Sequence, residues 1–293
     1  VVKMKIMTIN THSLAEPDFG RKREWFVEVL LREKPDILAL QEVNQTRTAP
    51  ERAGGLTRGY RPCPGVAIPL REDNYAAWLA ERLEAQGLPY GWSWLPSKIG
   101  YDIYDEGMAR CSRTPIGEVE AYRISQADDY HNWKTRKILG IRPEGPEKVW
   151  YYSVHMGWWD DGEEPFVSQW QVLNRHMAER KAEGARVWLL GDFNSPSQVR
   201  GQGYDRVVGD GWLDSYELAS GKDSGITVGH VIDGWRERSS EGETQKGMRL
   251  DYLFCSEPVA VVRSQVMCDG TLDPQVSDHY GVMITIRQGR FYI

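Results

Sequence analysis

Ile37-Leu38-Ala39-Leu40-Gln41-Glu42 is the stretch on which the fold turns. Pro35-Asp36 closes whatever precedes it, and four consecutive apolar residues are too few for a helix. They read as a strand covered on both faces, and such a strand needs a layer of structure above it and another below. The run ends in two polar residues, so Gln41 and Glu42 are delivered to a sheet edge. A carboxylate there is either a metal ligand or the partner of a buried arginine.

Upstream, Met4 to Ile9 alternates as a strand and turns polar at Asn10-Thr11-His12. Arg21 to Arg32 carries Trp25, Phe26, Val29 and Leu30 at helical spacing, so the chain opens strand, helix, strand. Downstream, Thr46 to Leu70 is rich in Gly, Pro and Arg and reads as a long loop, of the kind that is functional or disordered. Helices are expected over Asn74 to Gln86 and Phe166 to Lys181. Strands are expected at Tyr90 to Leu95, Gly107 to Ser112, Arg186 to Leu190, Leu250 to Cys255, Val259 to Val266 and Val282 to Ile286. Lys137 to Ile141 and Val149 to Val154 form a hairpin across Pro143-Glu144-Gly145-Pro146. No repeat, low-complexity tract or linker divides residues 1–293, which read as one domain. Many strands with helices in both halves suggest an α/β (α+β) fold of two sheets packed face to face with helices outside, a four-layer sandwich. An open α/β sheet stays as the alternative.

The formal net charge is -6 and no run of five basic residues occurs, which argues against a protein that lives on nucleic acid. It does not exclude a nuclease, because a local basic groove and a bound cation can offset an acidic whole. The 4 cysteines form no C-x-x-C pair, so a zinc ribbon is not expected, and a reduced, cytoplasmic protein is the simpler reading. Val1 to Met7 reads as the first strand rather than a signal peptide, and no apolar window is long enough to span a membrane.

The remaining polar clusters supply chemistry. Asp192 and Asn194 follow the Arg186–Leu190 run, where they form either an Asx turn or a base beside an amide that orients a phosphoryl group. His155 ends Trp150-Tyr151-Tyr152-Ser153-Val154, and His279 follows Asp278. Asp251 begins a buried strand and needs a partner; His279 would serve, with the carboxylate setting its tautomer, and Glu106 could do the same for His155. Hard oxygen ligands, a base for water and donors for phosphoryl oxygens are what a metal-assisted phosphate-ester hydrolase requires.

The order Gln41-Glu42, Glu106-Gly107-Met108-Ala109 with Ser112-Arg113, Ser153-Val154-His155, Gly191-Asp192-Phe193-Asn194, Arg249-Leu250-Asp251-Tyr252, Ser277-Asp278-His279 resembles the motifs of the endonuclease/exonuclease/phosphatase superfamily, from Asn10 to His279. The resemblance implies a deoxyribonuclease I-like sandwich of two mostly antiparallel sheets and a magnesium ion, with manganese as a substitute. It implies Glu42 as the principal metal ligand, with Asn10 helping to hold the metal or phosphate and Asp278 near the metal or His279. Asp192 would orient or deprotonate water, Asn194 and His279 would bind the phosphoryl group with Asp251 behind the histidine, and His155, oriented by Glu106, would assist the leaving oxygen. Asn10-Thr11-His12-Ser13, Gly100-Tyr101-Asp102-Ile103-Tyr104-Asp105-Glu106-Gly107 and His155-Met156-Gly157-Trp158-Trp159 are similar to the bacterial branch containing maltose 6'-phosphate phosphatase. That branch implies a phosphomonoesterase acting on a small phosphorylated sugar; Trp158 and Trp159 offer flat faces for a sugar ring, and His12 and, from the run Trp133-Lys134-Thr135-Arg136-Lys137, the forked donor Arg136 are candidates for its phosphate. The rival readings are a nuclease or phosphodiesterase, a sphingomyelinase-like enzyme, and a binding module without catalysis.

Overall fold

The computed structural model describes residues 2–238 and 246–288; Val1, read above as part of the first strand, lies outside the described residues. Seven strands form one sheet: β1 (Val2–Asn10), β2 (Ile37–Thr46), β3 (Gly91–Gly100), β4 (Tyr104–Ser112), β10 (Gly221–Lys222), β12 (Ala260–Met267) and β13 (Gly281–Gln288), in the order β10-β12-β13-β1-β2-β4-β3. Six form the other: β5 (Ile116–Arg123), β6 (Lys137–Pro143), β7 (Val149–His155), β8 (Arg186–Asp192), β9 (Leu213–Asp214) and β11 (Asp251–Cys255), in the order β5-β6-β7-β8-β11-β9. Helices α1 (Phe19–Glu33) and α2 (Tyr75–Ala85) cover the first sheet, α3 (Phe166–Ala182) covers the second, and α4 (Gly203–Gly209) and α5 (Ser215–Leu218) are short.

The layering follows from alternation. On β2, Ile37 and Ala39 face the core between the sheets, with Ile6, Tyr151, Trp188, Leu253 and Ile284, while Leu38 and Leu40 pack with Phe26 and Leu30 of α1 and Leu79 and Leu83 of α2. On β8, Trp188 and Leu190 face the sheet interface, and Val187 and Leu189 meet Trp170, Leu173 and Met177 of α3. Each of these strands is thus apolar on both faces because each is buried on both faces. The four-layer sandwich stands and the open sheet does not.

Most pairings are antiparallel, including the expected hairpin of β6 on β7. The two central pairings, β1 with β2 and β7 with β8, are parallel. Parallel neighbours end at the same sheet edge, and this sets the location of the chemistry. Asn10 is opposite Gln41, and His155 is opposite Asp192, which is opposite Asp251 on β11. Gln41 Nε2 donates to Ser153 Oγ (2.9 Å) and Ser153 Oγ to the Leu40 carbonyl (3.1 Å), so the two sheets are joined at this edge by buried hydrogen bonds.

Three sequence readings are revised. β5 and the two-residue strands β9 and β10 were not expected: β5 is an edge strand whose alternation, Val119 and Ala121 with Glu118 and Glu120, is short and only partly buried. β3 runs on past Leu95 to Gly100, through a register shift at Pro96 that breaks the sequence pattern. The Thr46–Leu70 loop is at the far side of β3, where Tyr60 bridges to Trp92 and the Arg61 N–H donates to the Trp92 carbonyl at 2.8 Å. All four cysteines are free and buried.

Candidate active site

Two backbone distortions aim the polar strand ends. β2 bulges between Leu40 and Val43, and Glu42 is held left-handed at φ 48; Asn194, just past β8, is at φ 44. Bulges and left-handed non-glycine residues re-aim side chains and persist where the surroundings over-determine them. Gly191, at φ 149, is needed where β8 passes the Val154 carbonyl and the Gln41 amide, both of which a Cβ would strike.

Asp192 is the centre of the cluster. Its Oδ2 accepts from Asn10 Nδ2 (3.2 Å) and lies 3.5 Å from both His155 Nε2 and His279 Nε2. Its Oδ1 accepts the Asn194 backbone N–H at 2.8 Å. Asn10 Nδ2 also donates to Glu42 Oε1 (2.8 Å), and its oxygen accepts the His12 N–H (3.2 Å), so Asn10 bridges two carboxylates through its nitrogen. His279 Nδ1 is 2.9 Å from Asp251 Oδ2, which fixes Nδ1 as the donor and turns Nε2 toward Asp192. Ser277 Oγ donates to the Asn10 carbonyl at 2.6 Å and anchors the segment that carries His279.

The electrostatics separate the roles. Burial disfavours a charged His279, but Asp251 and Asp192 outweigh it and hold its pKa well above the usual value. His155 goes the other way: burial, then the cations Arg136 and Lys98, hold it well below. Burial raises Asp192 to about 6, aided by Asp251 and opposed by His279. Glu42 is raised to about 7 by burial and by the charges of Glu106 and Asp278. A cationic donor, a neutral imidazole and a carboxylate near neutrality therefore face one another.

The donor set fits a hard divalent cation. Glu42 and Asp278 line the pocket and offer carboxylate oxygens, and Glu42 is desolvated among like charges that a cation would offset. Asp192, Asp251 and His279 also bring ligand atoms within 4.8 Å of one another. There, however, the Asp251–His279 hydrogen bond already takes up Asp251 Oδ2 and His279 Nδ1. His12, Glu16 and Asp278 form a second such trio, in which His12 Nδ1 bonds Glu16 (2.8 Å) and Lys22 pairs with Glu16.

Above this floor is a cavity of about 330 Å³. Of the expected substrate contacts, Arg136 and Trp158 line it. Trp159 does not: it is half buried against Phe166, ring centroids 6.2 Å apart, in the α3 core. His12 does not line it either; its ring is braced between Glu16 and Tyr101 Oη (3.0 Å). Burial works against its charge, but Glu16, Glu42 and Asp278 raise its pKa to about 9. Glu106 lines the cavity, yet its charged neighbour is Lys98 Nζ at 3.4 Å rather than His155, whose Nε2 faces Asp192 and Glu42.

Sequence reading missed Lys98 and the segment Ile232, Asp233, Gly234 and Arg238, and gave no role to Tyr101 or Trp133; all are on the cavity wall. Lys98 was hidden beyond Pro96. The 228–238 segment has no period; Trp235, Ile232 and Val228 pack it on Trp158, and Gly234, at φ 82, has the Trp158 ring where a Cβ would be. Arg238 stacks over that ring at 4.7 Å and pairs with Asp160 at 3.0 Å.

The sequence model of the endonuclease/exonuclease/phosphatase family matches residues 7–279, and the chain belongs to that family. Among curated proteins none matches its sequence. Among solved structures it is similar to an endonuclease/exonuclease/phosphatase family protein from Leptotrichia buccalis, with 27% identity, TM-score 0.80, and 97% of this chain and 100% of that one covered. It shares its fold with a Bacteroides thetaiotaomicron mannosyl-6-phosphatase (17% identity, TM-score 0.64, 97% and 100% covered). It also shares it with truncated Caenorhabditis elegans TDP2 (19% identity, TM-score 0.62, 98% of each chain covered). No described helix is long and apolar enough to cross a membrane.

Proposed function

We propose that this member of the endonuclease/exonuclease/phosphatase family is a phosphomonoesterase that releases inorganic phosphate from a small phosphorylated sugar. The observation that carries the reading is the cavity itself. Its volume suits a small molecule, and the 232–238 segment docked on Trp158 walls one side, where a polynucleotide would need an open trough. Half-exposed Trp133 and Tyr101 offer flat faces for a sugar ring. A mannosyl-6-phosphatase of the same fold is a precedent for the substrate class.

Magnesium, or manganese in its place, held by Glu42 with Asp278 and Asn10 beside it, would supply Lewis-acid polarisation of the phosphoryl group. Asp192 Oδ2 takes the proton of the attacking water. Nε2 of charged His279 and the second Nδ2–H of Asn194 donate to phosphoryl oxygens, since the first Nδ2–H is held by the Met156 carbonyl at 2.8 Å. His155 would assist the leaving oxygen. The new P–O bond to water forms as the P–O bond to the sugar breaks, and the sugar oxygen takes up a proton from solvent. The four reduced, buried cysteines accord with a cytoplasmic site of action.

The test is incubation with magnesium and, separately, maltose 6'-phosphate, mannose 6-phosphate and plasmid DNA. Phosphate released from a sugar phosphate with the plasmid intact is expected. Nicked plasmid with no phosphate release would overturn the reading in favour of a nuclease.

A further inference from the structure

Lys98 and Arg136 are buried cations on one wall of the cavity, 6% and 4% exposed. A buried cation needs an acceptor or a counter-charge. Lys98 Nζ has Glu106 Oε1 at 3.4 Å. Arg136 has less. Its backbone N–H donates to Ser125 Oγ (2.8 Å) and its guanidinium lies 5.8 Å from the Trp158 ring, but Nε and Nη1 have no hydrogen-bond partner among the described residues. Glu106 is the one carboxylate paired with either cation among the described residues, while Asp192, Glu42 and Asp161 act on Arg136 from farther off, so the guanidinium lacks a contact acceptor. This wall lies beside the acidic floor of Glu42 and Asp192, where a bound cation is wanted instead.

We propose that Lys98 and Arg136 form a seat for a dianion and select phosphomonoesters over phosphodiesters. The inference rests on the hydrolase reading above and deepens it. At neutral pH a phosphomonoester carries nearly two negative charges and three unesterified oxygens, whereas a diester carries one charge and two such oxygens. The catalytic donors His279 and Asn194 serve oxygens that both ester types possess. The additional oxygen and charge of the monoester require additional donors. A guanidinium fork next to an ammonium supplies them, bidentate from Arg136 and as a point charge from Lys98. Without the anion the guanidinium is left unpaired, so the wall favours occupancy by whichever ligand brings the second charge.

Arg136→Met and Lys98→Met test this, with thermal melts as the folding control and Arg136→Lys as a charge-keeping variant if Arg136→Met does not fold. Turnover of p-nitrophenyl phosphate and bis(p-nitrophenyl) phosphate is compared in magnesium, and inorganic phosphate binding is followed by calorimetry. The monoester kcat/KM is expected to fall about 30-fold or more with the diester rate changed less than threefold, and phosphate binding to weaken in proportion. Equal losses on both esters, or phosphate binding indifferent to both variants, overturn the seat. A parent enzyme with no monoesterase activity, whose phosphate binding still depends on Arg136, overturns the proposed function and leaves the seat standing.

Discussion

Trp235 donates its indole N–H to Oδ1 of Asn194 at 3.1 Å, so a buried residue packed behind the cavity wall decides which way an amide at its floor faces. With Oδ1 held by Trp235 and one Nδ2–H held by Met156, the free Nδ2–H has a single direction. Replacing Trp235 by Phe keeps most of the packing with Ile232 and Leu250 and removes the donor. We expect kcat to fall about tenfold with KM changed less than twofold, the value of one lost hydrogen bond felt in the transition state. A raised KM at unchanged kcat in steady-state assays would mean that Trp235 shapes only the wall.

Glu42 is the buried carboxylate on which cation binding is assigned. Glu42→Gln preserves its size and its bond from Asn10 while removing the charge. Manganese affinity, measured by electron paramagnetic resonance, is expected to fall about 10- to 100-fold, and phosphate release with it. Unchanged metal affinity would move the site to Asp278 and its neighbours.

The wall that carries Trp158 is tied down by Asp161. Its Oδ1 accepts the Glu163 (2.9 Å) and Glu164 (2.8 Å) N–H groups and Lys134 Nζ (3.0 Å). Burial alone would raise its pKa, but these donors lower it below the usual carboxylate value. A depressed folded-state pKa means stability that is complete above the unfolded value, about 3.9, and lost as pH falls through the folded one. Melting temperatures between pH 3 and 7 should therefore drop at the acid end, and Asp161→Asn should be less stable at pH 7 with a flatter acid limb. Parallel curves for the two proteins would contradict this.

Arg110 on β4 lies opposite Ala39 and Ser93, facing the core between the sheets, fully buried and 5.8 Å from the Tyr151 ring. Its three guanidinium nitrogens have no hydrogen-bond partner among the described residues, and burial lowers its pKa to about 9. Arg110→Met should be neutral or stabilising, up to about 4 kcal/mol, and raise Tm accordingly. A destabilised variant would show that the charge is compensated within the core.

The polar ends of β1, β2, β7 and β8 were legible because each closes a short apolar run, and alternation on those runs reports burial directly. Asp251 was legible because it begins the apolar run of β11, and Ser277-Asp278-His279 through its place in the family's order of motifs. β5 was not, because its apolar face is limited to Ile116, Val119 and Ala121 among glutamates, too short a pattern to stand out. Lys98 was not, because a proline and a register shift interrupt the pattern that leads to it.

The amino-acid sequence alone determined most of the strands, the two-faced covering of the central ones, and which polar residues end them, since these depend on period and neighbours in the chain. Tertiary structure decided who meets whom. Glu106 pairs with Lys98 rather than His155, Trp159 goes to the α3 core while Trp158 faces the cavity, and an aperiodic segment supplies Asp233 to the wall and the Trp235 donor to Asn194. Such meetings depend on strand register, bulges and loop docking, and no local pattern encodes them.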